Sequence, residues 1–267
     1  MTSSNVKENS MTGRISIVAI FCVAVLASAS GWAQSFQVPE GGLLRLPNNV
    51  SDNRIEQLSV AAGAKLLIPA TISALEIGEL HMAENARISI APRDELFVLT
   101  LKNAKIADGS VLAAVGSHGD FGVPGGRGTD LRVIIDSADI ANLVIDVSGG
   151  KGGDGWAGAQ GRNGKNAACW GFGSSAGTNG GRGSDGMPGG DGGNIDLSLE
   201  QSHWLEVIDV RQQGGKGGQA GAAGVAGKGG QSASCWLYSL GDTANDGEAG
   251  SKGLPAEAGS PGILKVR

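Results

Sequence analysis

Glycine recurs at every third position in the second half of the chain, and this period limits what that half can fold into. Five runs keep the period: residues 116–130, 149–166, 177–194, 215–232 and 247–264, the last with Ala256 in place of one glycine. A three-residue period with glycine at each repeat predicts an extended three-fold helix whose glycine face lies against other backbones. Glycine accounts for 47 of the 267 residues. Backbone hydrogen bonds, rather than a side-chain core, therefore have to order this half.

The order of the runs favours a single-chain arrangement. The second and third runs bracket residues 167–176, and the fourth and fifth bracket 233–246, so each pair goes out and returns. We therefore expect two hairpins of polyproline-II-type helices that lie side by side as a bundle. A three-chain collagen is the alternative. It is disfavoured because the runs are short, proline is scarce and glycine also occupies other positions in the triplets.

The first half contains a repeat of a different kind. Apolar or small residues precede Val60, Met82 and Ile106 at minus five and minus two, and the spacing returns before Ile140. Short strands with a turn residue at a fixed offset predict a mainly β chain, with one coil of a parallel β-solenoid per repeat. An ordinary β-sandwich is the alternative. The predicted organisation is solenoid coils over 34–115, then coils with the glycine-rich hairpins inserted over 116–267. The turn residues are Gly63, Asn85 and Gly109.

The glycine-rich part resembles secreted bacterial collagen-like and glycine-rich repeat proteins. It is also similar to the glycine-rich bundles of some phage tail-tip adhesins and of springtail antifreeze proteins. The resemblance covers about residues 116–264 and rests on the triplet pattern. It implies a bundle fold and an extracellular role.

The beginning of the chain is typical of a secretory signal. Arg14 precedes an apolar segment over residues 15–26, and Gly31 and Ala33 form a small-x-small exit. These features predict a signal peptide over 1–33, with a cut after Ala29 and a retained membrane anchor as alternatives. Met1 and Met11 are both candidate starts. We expect a Sec-exported protein of the periplasm, cell surface or medium, with no membrane span once the signal is removed.

Two cysteines remain after the signal, and they hold equivalent places. Cys169 and Cys235 each lie five residues past the last triplet glycine of a run, Gly164 and Gly230, and each is followed by Trp. Equal offsets in two hairpins predict thiols at the same height in an oxidising compartment. We therefore predict a Cys169–Cys235 disulfide. Free or intermolecular thiols are the alternative.

The sequence gives little support for nucleic-acid binding or catalysis. The net charge is −5 with no basic block, which argues against a nucleic-acid partner. The histidines are scattered, and no known nucleophile or zinc motif occurs. The predicted protein is not an enzyme and needs no cofactor. A β-helical carbohydrate-active enzyme is kept as a second alternative, with Asp136 or Asp139 as its catalytic residue. The histidines are His81, His118 and His203, and the acidic group is Asp130, Asp136, Asp139 and Asp146.

Two glycine-rich segments match a calcium-binding nonapeptide pattern. Residues 149–157 and 180–188 each fit G-G-x-G-x-D-x-U-x, with Asp154 and Asp185 as the acidic residues. The matches are not consecutive and fall in frame with the triplets, so we predict no metal site and keep these two residues as weak calcium candidates.

These observations favour an exported, non-enzymatic structural, surface or extracellular-matrix protein that presents rigid glycine-rich blades. The alternative is an adhesin that binds an extracellular glycan or protein through Trp170, Trp236 and Tyr238 at the hairpin tips, because aromatic faces stack on partners. A competing interpretation of the two tryptophans is that they only cover the disulfide.

Overall fold

The computed structural model describes residues 34–48, 50, 53–171 and 173–267, and its strands form two large parallel sheets. The predicted signal peptide lies outside the described residues. The seven-stranded sheet contains β1 (Ser35–Val38), β3 (Arg54–Val60), β5 (Ala74–Met82), β7 (Phe97–Ile106), β9 (Leu131–Ile140), β11 (Ile195–Leu199) and β15 (Leu264–Val266). The six-stranded sheet contains β2 (Leu43–Arg45), β4 (Lys65–Ile68), β6 (Arg87–Ile90), β8 (Ser110–Ala113), β10 (Leu143–Asp146) and β12 (Ile208–Arg211).

From β1 to β12, consecutive strands alternate between the two sheets. The seven-stranded order is β1-β3-β5-β7-β9-β11-β15, and the six-stranded order is β12-β10-β8-β6-β4-β2. Two short strands, β13 (Ala233–Ser234) and β14 (Ser239–Leu240), form a separate antiparallel pair, and a 3-10 helix spans Ser202–Glu206. Parallel neighbours need a crossover, and here each crossover passes through the other sheet.

Strand pairing confirms the repeat alignment in the first half. Ile55 pairs with Ile77, which pairs with Leu101, and Leu101 pairs with Ile135. The positions that begin with Val60 continue through the same strands to Ile140. A one-residue slip would turn the apolar residues outwards, so the buried face fixes this register.

The core lies on the inward faces of these strands. Ile55 and Leu58 are both fully buried although they are three residues apart, because the inward alternation slips by one residue between them. β5 repeats the slip at Gly78, where a Cβ would lie 2.7 Å from the carbonyl oxygen of Glu56. The slip explains why the sequence repeat has a spacing of minus five and minus two rather than a strict period of two.

The prediction of a parallel β-solenoid carrying a polyproline-II-type hairpin bundle is wrong. The strands form two large parallel sheets, and no closed solenoid coil is found among the described residues. The physical reason is that the apolar repeat specifies which residues pair between parallel strands. It does not specify how the two sheets that share the core are joined at their margins.

The glycine-rich runs form a hydrogen-bonded array, here called the glycine array, that consists of residues 116–130, 149–166, 177–194, 215–232 and 247–264. Glycines of the second run donate N–H groups to carbonyls of the fourth run, from the Gly152–Lys216 pair to the Gly164–Lys228 pair. The third run is joined to the fifth in the same way. The third run also donates to the second, and the fourth to the third, in antiparallel order. Backbone groups therefore find partners without a side-chain core.

Close backbone approach explains where glycine is needed. A Cβ on Gly221 would overlap the carbonyl oxygen of Trp156 in the neighbouring run. Gly150 and Gly153 lie against the first run, where a Cβ would overlap carbonyl oxygens of that run. Beyond the end of the first run, the equivalent positions of the second run carry larger side chains, namely Trp156, Arg162 and Lys165.

The outer edge of the fifth run has a different composition. Side-chain contacts place each residue of the third run opposite one 69 positions later in the fifth. Gly186 and Gly192 of the third run thus correspond to Pro255 and Pro261, which are exposed. No further run lies against this edge in the part of the chain that the structure describes, so the close-packing requirement for glycine is absent there.

Candidate functional site

Asparagine and aspartate side chains link neighbouring runs of the glycine array. Asp154 Oδ1 accepts a hydrogen bond from the N–H of Gln219 at 2.9 Å, and Asn163 Oδ1 accepts one from Lys228 at 2.8 Å. These contacts add a second hydrogen bond to a triplet that is already joined through its glycine N–H. The third run uses Asn179, Asp185, Asp191 and Asn194 to accept from Glu248, Leu254, Ser260 and Ile263.

The two calcium candidates belong to this set of contacts. Asp154 accepts from Gln219 N–H and pairs with Lys151 at 3.0 Å, and both interactions lower the pKa of its carboxyl group. Asp185 accepts from the N–H of Leu254 and pairs with Arg182 at 2.9 Å. The two carboxylates lie on different runs and have protein partners. Within the described residues, no group of three or more His, Cys, Asp or Glu is placed to hold a metal ion.

The predicted disulfide is confirmed. Cys169 and Cys235, 66 positions apart in sequence, are bonded with their Cα atoms 5.7 Å apart. Tyr238 supports the same junction, because its hydroxyl donates to the carbonyl oxygen of Cys169 at 3.0 Å and its own carbonyl accepts from the N–H of Cys235 at 2.8 Å. The bond joins the loop between the second and third runs to the loop between the fourth and fifth.

The residues beside the disulfide form an exposed group, here called the aromatic tip: Trp170, Trp236, Leu237 and Tyr238. Trp170 is 100% exposed and Trp236 is 95% exposed. A ring that covered the disulfide would lose area against it, so the tryptophan side chains do not shield the bond. Leu237 is also largely exposed, and Tyr238 is half exposed. The structure thus places the three predicted tip residues on two loops that a covalent bond holds together.

The aromatic tip includes one residue that the sequence reasoning missed. Leu237 lies between Trp236 and Tyr238. The sequence indicates this residue only through three consecutive apolar side chains in a loop between two glycine-rich runs. A second exposed aromatic contact was also missed. Phe121 of the first run and Trp156 of the second lie with ring centroids 4.9 Å apart.

The acidic residues considered as catalytic candidates do not form a single cluster. Asp136 pairs with Lys102 at 2.8 Å, and this hydrogen bond raises the pKa of the lysine. Asp139 lines a shallow depression of about 570 Å³ on the seven-stranded sheet, where His81, Lys105 and Asp139 stand side by side on neighbouring strands.

The two remaining acidic candidates and two of the histidines contact residues that lie beside them in the fold. Asp130 is partly buried, which favours its neutral form, but hydrogen bonds from Arg127 and from the N–H of Asn194 outweigh burial and lower its pKa. Asp146 accepts from the N–H of Ser148. His118 Nδ1 accepts from the N–H of Lys151 at 2.9 Å, and His203 lies beside Trp204.

In the described ranges, no helix has both the length and the apolar character needed to cross a membrane. Comparison of the sequence with protein-family models and with curated proteins, and of the fold with solved structures, found no significant match. The aromatic tip and the glycine array are therefore the features of the described chain that bear on its function.

Proposed function

We propose that this chain is an exported, non-enzymatic binding protein in which the glycine array holds the aromatic tip for contact with an extracellular surface. The observation that carries the proposal is the exposure of Trp170 and Trp236 at a junction that the disulfide Cys169–Cys235 holds in place. Exposed tryptophan at a fixed position is costly in water and is common at binding surfaces.

The glycine array supports the proposal because its hydrogen-bonded runs hold the aromatic tip in a fixed position. Its backbone bonds continue from the sheets to the tip, where Ala167 donates to Gln231 and Ser175 donates to Lys165. A tip fixed in this way loses little conformational freedom when it binds, so more of the interaction energy appears as affinity. The same stiffness suits a structural role in a matrix, which belongs to the proposed function.

Export and the absence of catalysis are parts of the same proposal. The sequence of residues 1–33 and the disulfide both fit an oxidising compartment. The carboxylates nearest to a catalytic arrangement are separated, since Asp136 is engaged by Lys102 whereas Asp139 lies in the depression on the sheet.

The test is a comparison of binding by the intact chain and by the double variant Trp170→Ala/Trp236→Ala. The labelled proteins are applied to immobilised polysaccharides, extracellular-matrix proteins and phospholipid layers. We expect the intact chain to be retained on at least one of these surfaces and the double variant to lose at least tenfold in affinity there.

The matched control is Trp156→Ala, which removes an exposed tryptophan outside the tip. Its binding should stay within about twofold of the intact chain. Equal binding by the double variant and the intact chain on every surface would show that the aromatic tip is not the binding site.

A further inference from the structure

The charge and polarity of the side chains in the aromatic tip indicate which class of molecule it binds. Residues 167–176 and 233–241, which contain the aromatic tip, have no Asp, Glu, Lys, Arg or His, and the second loop continues through Asp242 and Asp246 before the fifth run begins. Charged side chains of both signs lie beyond these segments, including the ion pair of Lys228 in the glycine array with Asp246 at the end of the second loop. The tip is therefore an uncharged apolar end on a charged support.

Two hydroxyl groups of the tip are already used within the protein. The hydroxyl of Tyr238 donates to Cys169, and that of Ser174 donates to the carbonyl oxygen of Asp242. Ser234 and Ser239 pair with each other through their backbones in β13 and β14. Sugar recognition combines an aromatic face with side chains that hydrogen-bond hydroxyl groups. Residues 167–176 and 233–241 offer aromatic faces with no charged or amide side chain to bind sugar hydroxyls, and this argues against a glycan.

The shape of the tip also bears on the partner. Trp170 and Trp236 are almost completely exposed, so they project from the surface instead of lining a groove. A folded protein partner would need a pocket for each ring. A lipid interface needs none, because headgroups and acyl chains rearrange around an inserted side chain. Tryptophan and tyrosine favour this boundary, where an apolar ring and a polar edge are both accommodated.

We propose that the aromatic tip inserts into the interfacial region of a phospholipid membrane and anchors the chain there without spanning it. This inference rests on the proposed function and names its partner. Trp170, Trp236 and Leu237 enter the boundary between headgroups and acyl chains, and the disulfide keeps the two loops inserted together. The residues of the aromatic tip are uncharged, and the charged residues of the second loop, Asp242 and Asp246, are acidic. Apolar burial therefore drives insertion, and anionic lipid is not required.

The experiment measures partitioning of the intact chain onto vesicles of pure phosphatidylcholine and of phosphatidylcholine with phosphatidylglycerol. Co-sedimentation gives the partition coefficient, and quenching of tryptophan fluorescence by lipids brominated along the acyl chain reports depth. We expect partition coefficients on the two vesicle types to agree within about threefold, little change in 0.5 M salt, and quenching.

Three variants test the residues. Trp170→Ala/Trp236→Ala should lower the partition coefficient at least tenfold and abolish most of the quenching. Trp170→Phe/Trp236→Phe keeps apolar rings and should restore most of the partitioning. Trp156→Ala should partition like the intact chain, and circular dichroism establishes that all variants fold.

The outcomes separate this inference from the proposed function. If the intact chain fails to bind either vesicle but binds a polysaccharide or a protein through Trp170 and Trp236, the lipid proposal is overturned and the binding function stands. Binding only to anionic vesicles that is lost in 0.5 M salt would also overturn insertion. If the double variant matches the intact chain on every surface, both proposals fail.

Discussion

Asp154 Oδ1 lies 2.9 Å from the backbone nitrogen of Gln219 and accepts its hydrogen bond, although the two residues are 65 positions apart. The contact recurs at Asn163 with Lys228 and at Asn166 with Gln231, always at the same separation. The third and fifth runs repeat it at a separation of 69. Short side chains with an acceptor oxygen therefore lock the register between neighbouring runs.

Removing one such acceptor should weaken the glycine array. Asp154→Ala leaves the N–H of Gln219 without its side-chain partner, and we expect the melting temperature to fall by a few degrees. Asp154→Asn is the matched control, because an amide oxygen holds the equivalent place at Asn163. The measurement is thermal unfolding followed by circular dichroism at neutral pH. A melting temperature for Asp154→Ala equal to that of Asp154→Asn would contradict this role.

The same residue makes stability depend on pH. Hydrogen bonds from Gln219 N–H and from Lys151 lower the folded-state pKa of Asp154 below its ordinary value of 3.8. A carboxyl group with a depressed pKa stabilises the fold above its unfolded-state pKa. This contribution is lost as the pH falls through that value to the folded-state pKa.

We therefore expect the difference in melting temperature between the intact chain and Asp154→Asn to shrink between pH 6 and pH 2.5. Asp246, whose pKa Lys228 and the N–H of Gly229 lower, makes both melting temperatures fall with pH but cancels in the difference between them. Melting curves at several pH values check this, and a difference that does not change with pH would refute it.

Glycine inside the array should resist even the smallest substitution. In Gly221→Ala the new methyl group overlaps the carbonyl oxygen of Trp156, so a neighbouring run has to shift. We expect a loss of about 1–3 kcal/mol in the free energy of unfolding, as for other overpacked sites. Gly173→Ala is the control, because nothing lies within 4 Å of the added Cβ. Urea unfolding compares the two, and equal stability would argue against close packing at Gly221.

The disulfide should contribute through the unfolded state. Closing a loop across 66 positions lowers the chain entropy of the unfolded state, which corresponds to about 4 kcal/mol of stability. Cys169→Ser/Cys235→Ser should lower the free energy of unfolding by up to this amount. Limited proteolysis of the variant should begin within 167–176 or 233–246. Cleavage first in the parallel sheets would contradict a locally loosened tip.

Part of this structure could be predicted from the sequence, because particular residues have to pair with one another in the fold. The buried faces of β3, β5 and β7 impose a register, so Ile55, Ile77 and Leu101 align in sequence as they do in space. The disulfide could be predicted from the sequence for a similar reason. Equal offsets from Gly164 and Gly230 place Cys169 and Cys235 at the same level of neighbouring runs.

Other features could not be predicted, because no local sequence pattern encodes them. Apolar alternation in β3 and β4 marks which side chains are buried but not whether the sheets close into a coil, so the predicted solenoid was wrong. The exposure of Trp170 depends on what the rest of the chain leaves uncovered. The acceptor role of Asp154 was missed because the same residue also fits a calcium pattern, and only the position of Gln219 distinguishes the two.

The outward positions of the fifth run do not support further lateral extension of the glycine array. Pro255 and Pro261 have no N–H to donate, and Lys252 adds a charged side chain at the corresponding position between Gly250 and Pro255. Another copy of the chain therefore meets an edge that cannot repeat the interior bonding pattern. An arrangement of identical backbone contacts is open to lateral growth, and Lys252, Pro255 and Pro261 oppose its continuation past the fifth run, in the way that charged residues and prolines protect the edges of sheets.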